Sequence, residues 1–437
     1  MRIPFAAFCS LLALATVARA EETARETLPE AMAIALKSNP GLASARDQAT
    51  AAREALPIAW AEALPQISAS ASANQVYRSE RTLGFFVRDR PEYWIASINT
   101  SWLLFGGGRV MASTHQARAQ IASAAAEYQR TAQELLLDVS RAYSGVMFAR
   151  SVKASQERAL ENLSEQLRYV DANVQQGFLT QTDHAQAQAR VEQARASLVL
   201  ANAQLVEVSE NYLRLVGHLP ATLETPATLS LLPTDLPGAV ISADQYSPTV
   251  LAAAARLDAA DAALDLTKAG GRGRLSLETS NAIFSAFDIG ARQTQESEDT
   301  ISLRVSVPLF SGGSAFARTR QQRLVRASAR NTLEDTRRGV HQQVNTAWSN
   351  LEAAKANVTA STARVEAAEL AQRGMQREQR AGTRSTIDAL NQEQELLSAR
   401  VDLARAQRDV VVSEFELASS IGALATAPTP APAPTAN

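Results

Sequence analysis

The chain has 437 residues, with 43 Lys and Arg against 45 Asp and Glu, 46% hydrophobic and only 5% aromatic residues, and a single cysteine. The near-balance of charge leaves no basic footprint for nucleic acid, and one thiol leaves no disulfide framework or Cys-metal site. With so few aromatics among so many Ala, Gln, Arg, Glu and Leu, a thick globular core is excluded, and long helices meeting along thin seams fit instead.

Residues 1–20 carry Arg2, an apolar run over 3–17 and Ala18-Arg19-Ala20, the pattern of a secretory signal peptide. Cys9 lies inside it behind the bulky Phe8, so the mature protein is not expected to be a lipoprotein. Residues 29–60 read as an Ala-rich helical stretch of roughly 45 Å, entered at Asn39-Pro40. Residues 66–77 then begin a strand pair spanning 65–105, with a polar loop at 78–91 between the strands. In the second strand Trp94, Ala96, Ile98, Thr100, Trp102 and Leu104 fall on one face. Eight residues separate Trp94 from Trp102, about 27 Å along a strand and roughly 19 Å of depth at a 45° tilt. That spacing suits the aromatic girdles of an outer-membrane barrel.

After a sharp strand-to-helix turn at Gly107 and Gly108, residues 109–175 hold no proline and only Gly145. Tyr128, Ala132, Leu135, Val139, Ala142, Val146 and Ala149 return at steps of four and three, a heptad for side-by-side helix packing. The span makes a rod of roughly 100 Å. Beyond a break at Gly177, Val191, Ala194, Leu198, Ala201, Leu205, Val208, Tyr212 and Leu215 continue the seam on a helix of about 55 Å. The two shorter helices, stacked end to end, match the long one. Pro220, Pro226, Pro233 and Pro237 mark a connector over 220–247.

The same parts then return. Leu104, Phe105, Gly107, Gly108, Ala142, Ser144, Gly177, Asp183, Leu198 and Gly217 recur 205 residues later as Leu309, Phe310, Gly312, Gly313, Ala347, Ser349, Gly382, Asp388, Leu403 and Gly422. An insertion inside a packed helix would rotate its apolar stripe, so a gapless copy of this length is geometrically constrained throughout. The second repeat, 248–424, supplies a helix over 248–268, a strand pair over 272–310 and a hairpin over 313–422. Its strands lie at 274–287 and 300–310, where Ile301, Leu303, Val305, Val307 and Leu309 alternate with polar residues, and residues 288–299 form the loop. The first repeat is 21–219, and residues 425–437 are an Ala/Pro/Thr tail, disordered by composition. Four amphipathic strands per chain cannot leave unpaired edges in lipid. Two chains would close eight strands around packed side chains, and three would close twelve around an open bore.

The Leu-Phe-x-Gly-Gly turns at 104 and 309, the tips Gly177-Phe178-Leu179-Thr180 and Gly382-Thr383-Arg384-Ser385, and Asn39-Pro40 resemble the TolC-type outer-membrane efflux and secretion factors. The resemblance covers residues 28–424. It implies a mainly α fold with a membrane β-barrel: a homotrimer with four strands per chain in a twelve-stranded outer-membrane barrel, joined to a periplasmic α-barrel of long hairpins. It also implies a passive exit duct that docks a periplasmic adaptor and an inner-membrane RND or ABC pump, in efflux or one-step (type I) secretion. The family's periplasmic constriction falls on Asp388, with Asn391 where a second acid often stands. Its tip lock falls on Arg384 and Asp183, with Gln379 replacing a frequent tyrosine.

Other interpretations of the same residues stay open. Asp388 and Asp183 also suit first-turn helix acids, Trp94 and Trp102 suit a soluble sheet, and the heptads alone suit a periplasmic coiled-coil scaffold or adaptor. His115, His184, His218 and His341 lack metal-ligand spacing, and no Ser, His, Asp constellation or phosphate loop stands out. Neither enzymatic activity nor a cofactor is expected.

Overall fold

The computed structural model describes residues 25–75, 78–82, 85–89, 92–227, 229, 232–287, 294–381 and 383–424. The expected signal peptide, the C-terminal tail and Gly382 lie outside the described residues. The first repeat runs β1 (Arg25–Glu26), α1 (Leu28–Ser38), α2 (Pro40–Arg53), α3 (Ala55–Ala61), β2 (Gln66–Gln75), β3 (Arg78–Thr82), β4 (Phe85–Asp89), β5 (Glu92–Phe105), α4 (Arg109–Gln175) and α5 (Gln181–Val216). The connector holds β6 (Thr222–Leu223) and α6 (Leu236–Tyr246). The second repeat runs α7 (Pro248–Ala269), β7 (Arg274–Phe287), β8 (Thr294–Ser306), α8 (Ser314–Arg380) and α9 (Thr386–Ser420).

Three expectations need correction. The helical stretch at 29–60 is three helices. Asn39 is extended (φ −71°, ψ 120°) and breaks the first pair, as the residue before a proline tends to, whereas Glu54 stays near-helical (φ −66°, ψ −14°) and only bends the chain. Residues 78–91 are not simply a polar loop, because β3 and β4 pair antiparallel from Arg78↔Asp89 to Thr82↔Phe85. Similarly, β8 starts at Thr294, within the expected loop 288–299, and ends at Ser306 rather than near Phe310.

The sheet order is β2-β5-β7-β8, antiparallel throughout. Its register brings Ile67, Ala69, Ala71 and Ala73 beside Thr100, Ile98, Ala96 and Trp94. Leu277 and Ile283 then continue that face opposite Trp102 and Ala96, and Leu303 and Val305 lie opposite Leu277 and Leu275. That face is apolar along β2 and β5 and at the Leu275–Leu277 end of β7 and β8, whereas farther along those two strands it turns polar, with Asn281 donating to Asp299 at 2.7 Å. The other is wet: Ser70 Oγ lies 3.0 Å from Ser97 Oγ, Ser280 donates to Asn99 at 2.8 Å, and Arg304 pairs with Glu278 at 3.0 Å.

α4 and α8 each have 67 residues, about 100 Å at the helical rise. α4 packs against α5 toward one end and against α2, α3 and α7 toward the other, and α9 also lies along it. α8 packs against α9, α7 and α6. Four columns result, in the order α2/α3 over α5, then α4, then α7 over α9, then α8. The short helices meet end to end through side chains that serve both. Asn39 Oδ1 accepts from Gly41 N at 2.9 Å and Leu42 N at 3.2 Å, capping α2, while its Nδ2 donates to Leu215 O of α5 at 3.2 Å. In the second stack, Gly422 (φ +75°) turns the end of α9 so closely onto the α6–α7 junction that a Cβ would sit 2.3 Å from Tyr246 O.

The connector straps the wall at mid-height. β1 and β6 pair in parallel, and the buried Tyr143 hydroxyl of α4 lies 2.7 Å from Glu26 O and 2.6 Å from Glu224 O. Burial pushes the Tyr143 phenol up to about 12. Tyr212, also raised by burial, donates to Glu26 Oε1 at 2.7 Å.

Candidate functional site

Two regions carry function-bearing chemistry: the greasy sheet face and the ends of the two long hairpins. On the sheet, Trp102 is 40% exposed and its indole N–H is tied to Ala63 O at 2.9 Å. Trp94 is half-buried eight residues away on the same face. Ile98, Ile301, Leu303 and Val305 are exposed. No helix among the described residues is long and apolar enough to cross a membrane.

The strand-to-helix turns use left-handed glycines, Gly107 (φ +62°) and Gly108 (φ +91°) in one repeat, Gly312 (φ +60°) and Gly313 (φ +77°) in the other. Their surroundings differ. A Cβ on Gly107 would meet Arg272 Cβ at 2.7 Å, and Arg272 Nη1 donates to Gly107 O at 3.1 Å. A Cβ on Gly312 or Gly313 would meet nothing within 4 Å among the described residues.

At the first hairpin end, α4 stops because Gly177 (φ +80°) turns left-handed and Phe178 N bonds back to Asn173 O at 2.9 Å. Phe178 is 75% exposed, an apolar ring on a turn where polar residues are the norm. Leu179 follows, and Thr180 caps α5 in a reciprocal box with Asp183: Thr180 N and Oγ1 donate to Asp183 Oδ2 at 2.9 and 2.7 Å. The second end repeats this chemistry, with Ser385 Oγ donating to Asp388 Oδ2 at 2.7 Å. Hydrogen bonds from Ser385, aided by the Arg384 charge, hold the Asp388 carboxyl below its ordinary value. Thr180 does the same for Asp183. Both acids thus take the helix-capping role, which in Asp388 leaves Oδ1 without a hydrogen bond among the described residues.

Within one chain, Arg384 and Asp183 do not meet. Arg384 Nε donates to Glu378 at 2.9 Å, and Thr383 bonds to Glu378 O at 2.9 Å. Gln379 is buried with its Nε2 unpaired. Asn391 accepts from Arg190 of α5 at 3.3 Å, linking the two hairpins. The deeper link is one that sequence inspection missed. Glu393, 8% exposed, accepts from Asn162 of α4 at 2.8 Å and from Gln372 of α8, so one carboxylate fastens α9 to both long helices. Leu390 packs beside it against Leu163, Val170 and Val191. Glu393 stands at a seam position between Leu390 and Leu396, and an acid interrupting an apolar stripe was the available signal. Among the described residues no group of three or more His, Cys, Asp or Glu is placed to hold a metal ion.

The family model described as outer membrane efflux protein matches residues 31–218 and 240–423, one stretch per repeat. The chain belongs to this family. It is similar to the outer membrane efflux protein BepC of Brucella suis, 28% identical over 94% of this chain and 89% of the relative. It is also similar to the outer membrane protein TolC of Vibrio cholerae, 27% identical over 91% of each. In fold it matches the Campylobacter jejuni CmeC outer membrane channel with a TM-score of 0.78 at 15% identity, covering 97% of this chain and 94% of that one. The outer membrane efflux fold thus accounts for both repeats together.

Proposed function

We propose that three copies of this chain close into an outer-membrane channel-tunnel, the passive exit duct of a tripartite efflux or type I secretion system. One observation carries this proposal: the same two sides of the chain are open at every level. The sheet ends in β2 and β8, and the columns end in α2/α3 over α5 and in α8. Inside the chain the first repeat meets the second through β5–β7, α4–α7 and α4–α9. The duplication makes β8 and α8 the counterparts of β5 and α4, and β2 and α2 those of β7 and α7, so the unpaired sides are copies of surfaces that already pair. The open Gly312 turn supports this, since its twin at Gly107 is filled by Arg272. Leu309 and Phe310, 94% and 89% exposed, lie on that unfilled side.

Head-to-tail repetition of one junction closes a ring. With four strands from each of three copies, twelve strands enclose an open bore, whereas eight would enclose packed side chains. The greasy face then meets lipid, with Trp94 and Trp102 toward its borders, and a coiled-coil scaffold has no use for such a face. The helical columns continue the bore into the periplasm. There Gly177, Phe178, Leu179 and Thr383 present the adaptor-docking tips, with Gly382 at the second turn, and the adaptor couples the duct to an RND or ABC pump. Asp388 places a ring of three carboxylates at the constriction, attracting cations, and Arg384 and Asp183 lock the tips between hairpins.

Purified protein in planar bilayers tests the proposal. Discrete cation-selective steps are expected, with Asp388→Ala and Arg384→Ala raising conductance. A bilayer left electrically silent by a well-folded preparation overturns the duct.

A further inference from the structure

The duct's geometry does not explain the charge on α8. Residues 314–338 hold seven arginines, Arg318, Arg320, Arg323, Arg326, Arg330, Arg337 and Arg338, against Glu334 and Asp335. The corresponding stretch of the first repeat, 109–133, holds Arg109, Arg118 and Arg130 against Glu127. In the proposed ring both stretches would stand between two neighbouring columns, so the excess is not a requirement of the fold.

The arginines are ordered. Arg323, Arg326, Arg330, Glu334, Arg337 and His341 follow at steps of three and four, one stripe on one face, about 27 Å long at the helical rise. Two positions are already occupied, each by an aspartate from a neighbouring helix. Arg326 pairs with Asp261 of α7, and His341 Nε2 meets Asp244 of α6 at 2.9 Å. Glu334 is taken by Arg338 at 3.3 Å. Arg323, Arg330 and Arg337 are exposed and make no ion pair or hydrogen bond among the described residues. A groove of about 620 Å³ between α7 and α8 is lined by four arginines, Arg326, Arg330, Arg337 and Arg338, against Asp261 and Glu334. α6 packs on the same flank of the wall, at the foot of the stripe. A strap inside the bore would obstruct it, so this flank is the outside of the duct, and in that respect the inference rests on the duct proposal.

We infer that this groove is a docking site for an acidic helical segment of a partner protein, lying above α6 with carboxylates directed at Arg323, Arg330 and Arg337. Arg330 and Arg337 are two turns apart, about 10 Å, too far for one oxyanion to bridge. A facing helix with acids at positions i and i+7 matches that interval, and both filled positions show the stripe accepting carboxylates borne on helices. The site lies on the α7 side of α8, where Leu257 and Asp261 of α7 complete its lining.

The test uses the intact detergent-solubilised protein and a fluorescent alanine-based peptide of about 20 residues with glutamates along one face. Binding measured by anisotropy should weaken at least tenfold in R323E/R330E/R337E, and also in the milder R323Q/R330Q/R337Q should the first assemble poorly. It should hold within twofold in R373E/R377E, which reverses charge elsewhere on α8. A peptide of equal composition with glutamates on all faces should bind at least fivefold more weakly. Absence of binding, equal loss in the control, or displacement by tripolyphosphate or phosphatidylglycerol vesicles at matched charge would overturn the assignment. In bilayers the groove variants should keep the wild-type reversal potential. A shift toward cations would put the stripe inside the bore and end the docking inference while leaving the duct standing, whereas a silent wild type would remove the duct and with it the outward placement of the groove, leaving peptide binding alone to decide the docking site.

Discussion

Asn39→Ala should loosen two helices at once. The wild-type side chain accepts from Gly41 N and Leu42 N at 2.9 and 3.2 Å and donates to Leu215 O at 3.2 Å. Losing an Asn cap costs about 1 kcal/mol, and losing the hydrogen bond to the α5 carbonyl about 1 kcal/mol more. At 1.4 kcal/mol per factor of ten, the sum of about 2 kcal/mol speeds local opening roughly 30-fold. Hydrogen exchange read by mass spectrometry resolves where this happens without requiring reversible unfolding. In Asn39→Ala, peptides covering the start of α2 and the last turn of α5 should both exchange faster. Asn39→Asp keeps the cap acceptor but lacks the donor and sets a negative charge against the C-terminal end of α5, unfavourable by about 0.3–1 kcal/mol. There α2 should stay protected while α5 alone loosens. Faster exchange confined to α2 in the alanine variant would make Asn39 an ordinary cap and refute the stacking joint.

Gly177 and Gly422 share left-handed backbones, with φ of +80° and +75°, but only Gly422 has a neighbour in the way of a Cβ. Gly177→Ala should cost about 1 kcal/mol for its backbone alone, and Gly422→Ala a further 1–3 kcal/mol for overpacking, read as a larger drop in heat-dissociation temperature. Hydrogen bonds hold the Asp388 carboxyl below its ordinary 3.8, so its capping contribution is present above that value and fades only as pH falls through the lower folded one. Cation selectivity, read from reversal potentials, should therefore survive acidification to pH 3.8 and disappear in Asp388→Asn. Burial raises the Glu414 carboxyl above its ordinary 4.5, with the Leu229 amide opposing. The folded state then binds the proton more tightly, and stability is lost as pH rises through the folded value. Glu414→Gln should be the more heat-resistant protein at pH 7, its advantage closing below pH 4.5. Glu393→Leu strands the Asn162 and Gln372 donors, at about 1–3 kcal/mol each, and should raise resting conductance more than Glu393→Gln does.

Much of the architecture was legible because it depends on periodicity. The absence of proline and the heptad of 109–175 correspond to the one helix α4, and alternation from Trp94 to Leu104 gave the greasy face that pairing with Ile67, Ile283 and their neighbours extends. β3 and β4 escaped notice because Arg78–Thr82 and Phe85–Asp89 carry no continuous two-residue alternation. Asn39 was visible as a helix entry, but its second bond, to α5, reaches across 176 residues. At the tips, Asp183 and Asp388 were recognised by position, while their capping partners decide what they do in one chain. Glu378 and Glu393 were passed over because amphipathic templates assign acids to the solvent side, and only packing shows that Glu393 lies between three helices.

Cross-linking across the open edges tests the central claim most directly. Pro40 and Pro248 are corresponding entries to α2 and α7, 208 residues apart, and the same offset makes Leu64 the counterpart of Arg272, which fills the Gly107 turn. Leu64→Cys with Ser311→Cys, in a chain whose only native cysteine is Cys9, should yield on oxidation a ladder of one, two and three chains and nothing larger. Failure to link neighbouring chains, or a ladder running past three, would contradict the closed ring.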